Sequence, residues 1–159
     1  MASLLRVFAF AFSMVLYAVA SSPQIPEGLL GTWHLNVAKS TSNVPLPQSN
    51  IVRWETVPGG WKQTGDIVDA SGTIGHNELT TTFDGKDSDL KGVNAIPGTT
   101  RAFRRIDDRT YEHVLRINGR VLTTTRATLA ADGRTRTLVT TGTNAAGQTV
   151  NSTMVWERR

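Results

Sequence analysis

The chain has no cysteine among its 159 residues. Disulfides, thiolate metal sites and thiol nucleophiles are therefore excluded, and stability must come from packing. Histidine is scarce as well. His34, His76 and His113 are the only ones, and no two sit at a spacing that sets them side by side on one strand face, so no metal site is expected. Aromatic residues make up only 7%, too few and too scattered to interleave with a basic stripe. Beyond the N-terminal stretch, no run repeats its apolar residues at helical spacing. Nor is there a Gly-x-Ser-x-Gly elbow, a phosphate-binding loop, an HExxH pair or a paired-carboxylate arrangement. Those absences argue against the common hydrolases, nucleotide users and zincins.

The positive charge is modest, 17 basic against 13 acidic residues. The basic residues are dispersed apart from Arg101, Arg104, Arg105 and Arg109 and the C-terminal Arg158-Arg159. A nucleic-acid surface concentrates such charge, so no nucleic-acid partner is expected.

At the N-terminus, Arg6 precedes an apolar run from Val7 to Ala20, which closes on Ala18-Val19-Ala20. A positive start, an apolar core and a small-residue site describe a secretory signal peptide over residues 1–20. A spanning helix needs about 20 apolar residues, and Ser21-Ser22-Pro23 brings no basic stop-transfer cluster. The expectation is export, to the periplasm or beyond, with cleavage and no stable membrane insertion; retention as an anchor is the alternative. Residues 21–159 then form a single domain, long enough to bury roughly two-thirds of its unfolded surface.

What the chain has in quantity is turns. Asn118-Gly119, Asp132-Gly133 and Ala146-Gly147 punctuate Thr- and Val-rich stretches, and Pro58-Gly59-Gly60, Asp69-Ala70-Ser71-Gly72 and Asp84-Gly85 do the same earlier. Such pairs supply the positive φ of hairpin turns and predict antiparallel strands in sequence order. Strands are predicted over 31–36, 51–57, 61–68, up to Phe83, 99–106, 110–117, 120–130, 135–141 and 149–157. Val37 to Gln48, with Pro45 and Pro47, is predicted as an extended loop with one helical turn near Ala38-Lys39. Lys86 to Lys91 is predicted as a short polar connection and Gly92 to Gly98 as a loop. A meander of this kind best avoids exposed edges by closing, so the predicted fold is an all-β, up-and-down antiparallel barrel of about 8–10 strands. A weak likeness between Asp69-Ala70-Ser71-Gly72 and Asn144-Ala145-Ala146-Gly147 is put down to shared turn chemistry.

Gly31-Thr32-Trp33 on the first strand resembles the Gly-x-Trp signature that opens lipocalin-type barrels. Together with His34-Leu35-Asn36-Val37-Ala38-Lys39-Ser40, Phe83-Asp84-Gly85-Lys86-Asp87, Arg105-Ile106-Asp107-Asp108 and Gly142-Thr143-Asn144-Ala145-Ala146-Gly147, the chain resembles small exported bacterial proteins with lipocalin-like (calycin) domains. The resemblance spans nearly all of residues 21–159. It implies a barrel with an interior, and a structural role in which Trp33 closes the bottom against Arg158 or Arg159. No cofactor is expected.

Alternation along strands sorts residues by face. Tyr111, His113, Leu115 and Ile117 share one side of their strand, read as inward. Asn77, Leu79, Thr81 and Phe83 share a face of an earlier strand. Arg101, Phe103 and Arg105 alternate on another; the reading favoured is a solvated outer face, and the alternative is a charged cavity wall for a carboxylate-bearing ligand. The ligand-contact candidates are Tyr111, His113, Leu115, Phe83 and Phe103. Thr80-Thr81-Thr82 and Thr123-Thr124-Thr125 are strand filler, and the sequon Asn151-Ser152-Thr153 falls within a predicted strand. The sequence thus points to an exported monomer that encloses a small hydrophobic or amphipathic molecule. The alternative is a cofactor-free isomerase or cyclase in which Tyr111 and His113 move a proton. A filled barrel serving as an interaction protein is a third reading.

Overall fold

In the computed structural model, which describes residues 24–159, the chain is all-β. The expected signal peptide, residues 1–20, lies outside the described residues. The strands are β1 (Gly31–Ser42), β2 (Ser49–Val57), β3 (Gly60–Val68), β4 (Ile74–Thr81), β5 (Asp84–Asp89), β6 (Lys91–Val93), β7 (Thr99–Arg105), β8 (Thr110–Ile117), β9 (Arg120–Leu129), β10 (Thr135–Thr143) and β11 (Thr149–Arg158). All are paired antiparallel in one sheet of order β5-β7-β8-β9-β10-β11-β1-β2-β3-β4-β6.

That order is a ring. β5 and β6 stand at opposite ends of the sheet, yet Leu90 alone separates them in the chain. Asp84–Asp89 pairs with β7, and Leu90 N–H still donates to the Thr99 carbonyl. Lys91–Val93 then crosses to β4, with Asn77 opposite Gly92. One polar segment thus stitches the two edges together, and the meander becomes a nearly closed barrel. First and last strands meet on the far side, where Trp33 lies opposite Arg158 and Leu35 opposite Trp156.

Two segments depart from the sequence reading. β1 runs on to Ser42 where a loop and a helical turn were predicted; a bulge between Asn36 and Thr41 interrupts its alternation, and bulges hide a strand from a period-of-two search. Asp84–Val93, predicted as a connection and a loop, is the closing strand pair. Its side chains are nearly all exposed, so it carries no apolar pattern and is held by backbone pairing.

One end of the barrel is plugged. Trp54 meets Phe103 edge-on at 5.3 Å and Phe83 at 5.5 Å, while Phe83 also abuts Trp61 and Tyr111. Each such aromatic pair adds roughly 0.5–1.5 kcal/mol beyond burial. Leu29, Trp33, Leu129 and Trp156 complete this core. The lead-in wraps beneath it, with Glu27 N–H donating to the Asp108 carbonyl and Trp33 Nε1 donating to the Leu29 carbonyl at 2.8 Å. At the other end, the turns at Asp69–Thr73 and Gly92–Gly98 surround a mouth.

Candidate functional site

Above the plug lies a cavity of about 220 Å³. Val52, Leu115, Leu138 and Met154 give it apolar walls, and Arg101, Tyr111, His113 and Arg136 bring polar groups to it. A second cavity of about 260 Å³ lies toward the mouth, lined by Ile67, Leu90, Val93, Ile96 and Ile117 among others. Arg101 and Leu115 line both, so the two chambers meet at that pair. The pairing of β7 with β8 sets Arg101 directly opposite Leu115.

The alternation read from β8 holds for the side chains it turns inward. Tyr111 is 1% exposed at the cavity floor, and His113 and Leu115 follow it up the wall. Tyr111 and His113 have ring centroids 6.5 Å apart, with their planes inclined by 27°. They do not hydrogen-bond to each other. Arg136 Nη1 donates to Tyr111 Oη at 3.1 Å, while His113 Nδ1 is buried without a protein partner. Burial, followed by the Arg101 and Arg136 charges, holds His113 well below the usual histidine range; the imidazole is therefore neutral near pH 7.

The face carrying Arg101, Phe103 and Arg105 is corrected. The sequence favours a solvated face, but Arg101 and Phe103 turn inward, as the alternative of a charged cavity wall has it, while Arg105 does not line the cavity. Phe103 is 1% exposed and packed against Trp54, Phe83 and Tyr111. Arg101 borders both cavities, with a buried Nε that has no protein partner and an Nη1 that donates to Gln63 Oε1 at 3.3 Å. Arg105 lies at the plugged end, ion-paired with Asp108 and donating to the Asp107 carbonyl. The alternation was legible in Thr99 to Arg105; the direction was missed because arginine defaults to solvent.

Phe83 lines neither cavity. It sits in the plug, 2% exposed, with a positive φ of 57° that ends β4 and starts the closing segment. Trp33 is fully buried, with the Arg158 guanidinium over its ring at 4.9 Å and that of Arg136 at 5.0 Å. Arg158 also donates to the Gly28 carbonyl.

Arg136 was not singled out by the sequence. It is 1% exposed and lies between the indoles of Trp33 and Trp156, 5.0 and 4.8 Å from their centroids. Desolvated contacts of this kind are worth about 2 kcal/mol. Alternation puts Arg136, Leu138 and Thr140 on one face, which the structure turns to the cavity wall, but alternation alone does not say which way that face turns. Burial works against the charge of Arg101 and of Arg136, but a guanidinium stays protonated in proteins. The inner cavity is thus a mixed chamber, in which Val52, Leu115, Leu138 and Met154 face Asn50, Gln63 and a row of threonines, with two cations and no carboxylate among its lining residues. Among the described residues no cluster of His, Cys, Asp or Glu is arranged to hold a metal ion. No protein-family model matches the chain, and no curated protein matches it in sequence.

Proposed function

We propose that this protein is an exported, monomeric, lipocalin-like binding protein that encloses a small hydrophobic or amphipathic molecule. The observation that carries the reading is the inner cavity itself. Packed cores leave few voids larger than a water molecule, whereas here about 220 Å³ is kept open above a dense aromatic plug. Apolar walls with a few convergent polar groups are the usual composition of a ligand site. Binding is sequestration: the walls remove apolar surface from water at about 25 cal/mol per Å², and the buried polar groups fix orientation.

A second reading, a cofactor-free isomerase or cyclase, draws on one observation. The neutral His113 has an unpartnered Nδ1 beside Tyr111, the state a general base needs. His113→Ala separates the two, since it abolishes turnover in an enzyme and only weakens retention in a carrier. The carrier reading is tested by native mass spectrometry of the exported protein. The expected result is a stoichiometric, non-covalent adduct that denaturation releases and that is lost in Leu115→Trp, where an indole fills the chamber. Empty spectra, with no probe raising the melting temperature, would sink it.

A further inference from the structure

We propose that the molecule held in the barrel is an amphipathic organic acid, with its carboxylate between Arg101 and Arg136 and its apolar part directed toward the mouth. This rests on the cavity being a ligand site and names the chemistry of that ligand.

The first support is where the protein pairs its charges. On the surface, where a pair gains little, Glu112 receives both Arg104 and Arg126, Arg116 meets Asp87, Lys62 meets Glu78 and Lys39 meets Glu157. Inside, where an uncompensated charge is most costly, Arg101 and Arg136 face an inner cavity whose lining has no acidic residue; the outer one, which Arg101 also borders, has Asp69, whose carboxylate accepts from Ser71 and Thr73 of its own turn. Indole faces and a tyrosine hydroxyl partly compensate Arg136. Arg101 has one neutral amide partner. A monoanion placed here supplies the missing counter-charge.

The second support is a set of buried donors. Arg101 Nε, Arg136 Nε and Trp156 Nε1 belong to cavity-lining residues and have no protein partner, but none is open to the cavity, so a carboxylate reaches them only once these side chains rotate toward it. A carboxylate has two oxygens with about four acceptor sites between them, and a guanidinium presents a planar fork that matches it. His113 lines the same cavity and is held neutral first by burial and then by the two cations, so it adds no third charge to the site. Its unpartnered Nδ1 also suits a ligand that can share a proton or a water.

The third support sets direction. Floor and cations lie in the inner chamber, while Ile67, Leu90, Val93, Ile96 and Ile117 line the outer one. Arg101 stands where the chambers join. An acid therefore enters head first, and its tail lies along the aliphatic side chains of the outer chamber, with Asp69, Asn77 and Asn94 also in its lining.

The test is titration calorimetry of the exported protein, freed of bound molecules by a hydrophobic resin, with octanoate, octanol and octyltrimethylammonium at neutral pH. Octanoate should bind at least about tenfold more tightly than octanol, since hydrogen bonds to a charged group carry that much, and the cation should not bind. Arg101→Met should weaken octanoate by about tenfold to a hundredfold, leave octanol within about threefold, and raise the melting temperature of the unliganded protein, because a buried cation has been replaced by an apolar chain. Arg101→Lys, which keeps the charge and loses the fork, should retain the preference for the acid at reduced affinity. If octanol binds as tightly as octanoate, the acid is ruled out while the binding role stands; if no probe binds, both fall. An Arg101→Met protein that is less stable and binds octanoate undiminished would make the arginine structural and overturn the assignment.

Discussion

At the residue scale, the interior depends on groups kept from their preferred state. His113 is the clearest. Its folded pKa lies below the unfolded value, so below about pH 6.5 the unfolded chain binds more protons than the native one. Its contribution to stability is therefore fully present above that pH and lost as pH falls through the depressed folded value. Replacing it with a residue that cannot titrate, as in His113→Gln, should flatten the stability–pH curve as pH falls below about 6.5, the ordinary histidine value. Urea denaturation at a series of pH values measures this; parallel curves for both proteins would refute it. The same scale shows what sequence alone conveys about the site. Tyr111, His113 and Leu115 could be placed inward because β8 alternates cleanly and has no cation on its cavity face. Arg101 and Arg136 could not, because nothing local distinguishes an arginine facing solvent from one between two indoles. Trp33 and Trp156, which compensate Arg136, lie more than half the chain away or on the next strand.

At the element scale, the strands that could be read from sequence are those with a wet face and a dry face bounded by glycine turns. β8, β9, β10 and β11 begin and end within about two residues of expectation, which is the ordinary uncertainty of an element boundary. The closing pair β5–β6 could not be read, because a strand held by its backbone alone leaves no side-chain signature. Glycine has a second use here, inside strands rather than at turns. Gly142 in β10 has a φ of 139°, and a Cβ there would overlap the Leu122 carbonyl oxygen of β9. Gly147 also has a positive φ, 80°, but nothing lies within 4 Å of its added Cβ. Gly147→Ala should therefore cost only backbone strain, about 1 kcal/mol, whereas Gly142→Ala should cost about 3 kcal/mol or part the β9–β10 ladder at its mouth end. Chemical denaturation of the two variants tests the ordering; equal losses would mean that the close approach of the strands carries no weight.

At the scale of the whole molecule, the barrel has an unequal seam. β1 and β11 close one side with a long ladder, reinforced by Trp33 beneath Arg158 and by Asn36 and Lys39 on Glu157. The opposite side is closed by Asp84–Val93 alone. That segment pairs with β7 through its first part and with β4 through its last three residues, and β4 and β5 are not ladder partners. Apart from the backbone, it is held by Leu90 against the core, by Asp87 receiving Arg116, and by Phe83 anchoring its start in the plug. Local opening takes the path of least buried apolar surface, so this seam should open before any other. The mouth cavity borders it through Leu90 and Val93, so opening of the seam would widen that cavity. Hydrogen exchange should then find the amides of residues 84–93 exchanging well ahead of those in β8, β9 and β11. Phe83→Ala, which removes a ring buried to 2% exposure, should cost about 3–5 kcal/mol and speed exchange across residues 84–93 far more than along the β1–β11 ladder. Uniform acceleration on both sides would show a barrel that opens as one cooperative unit, with no weak seam.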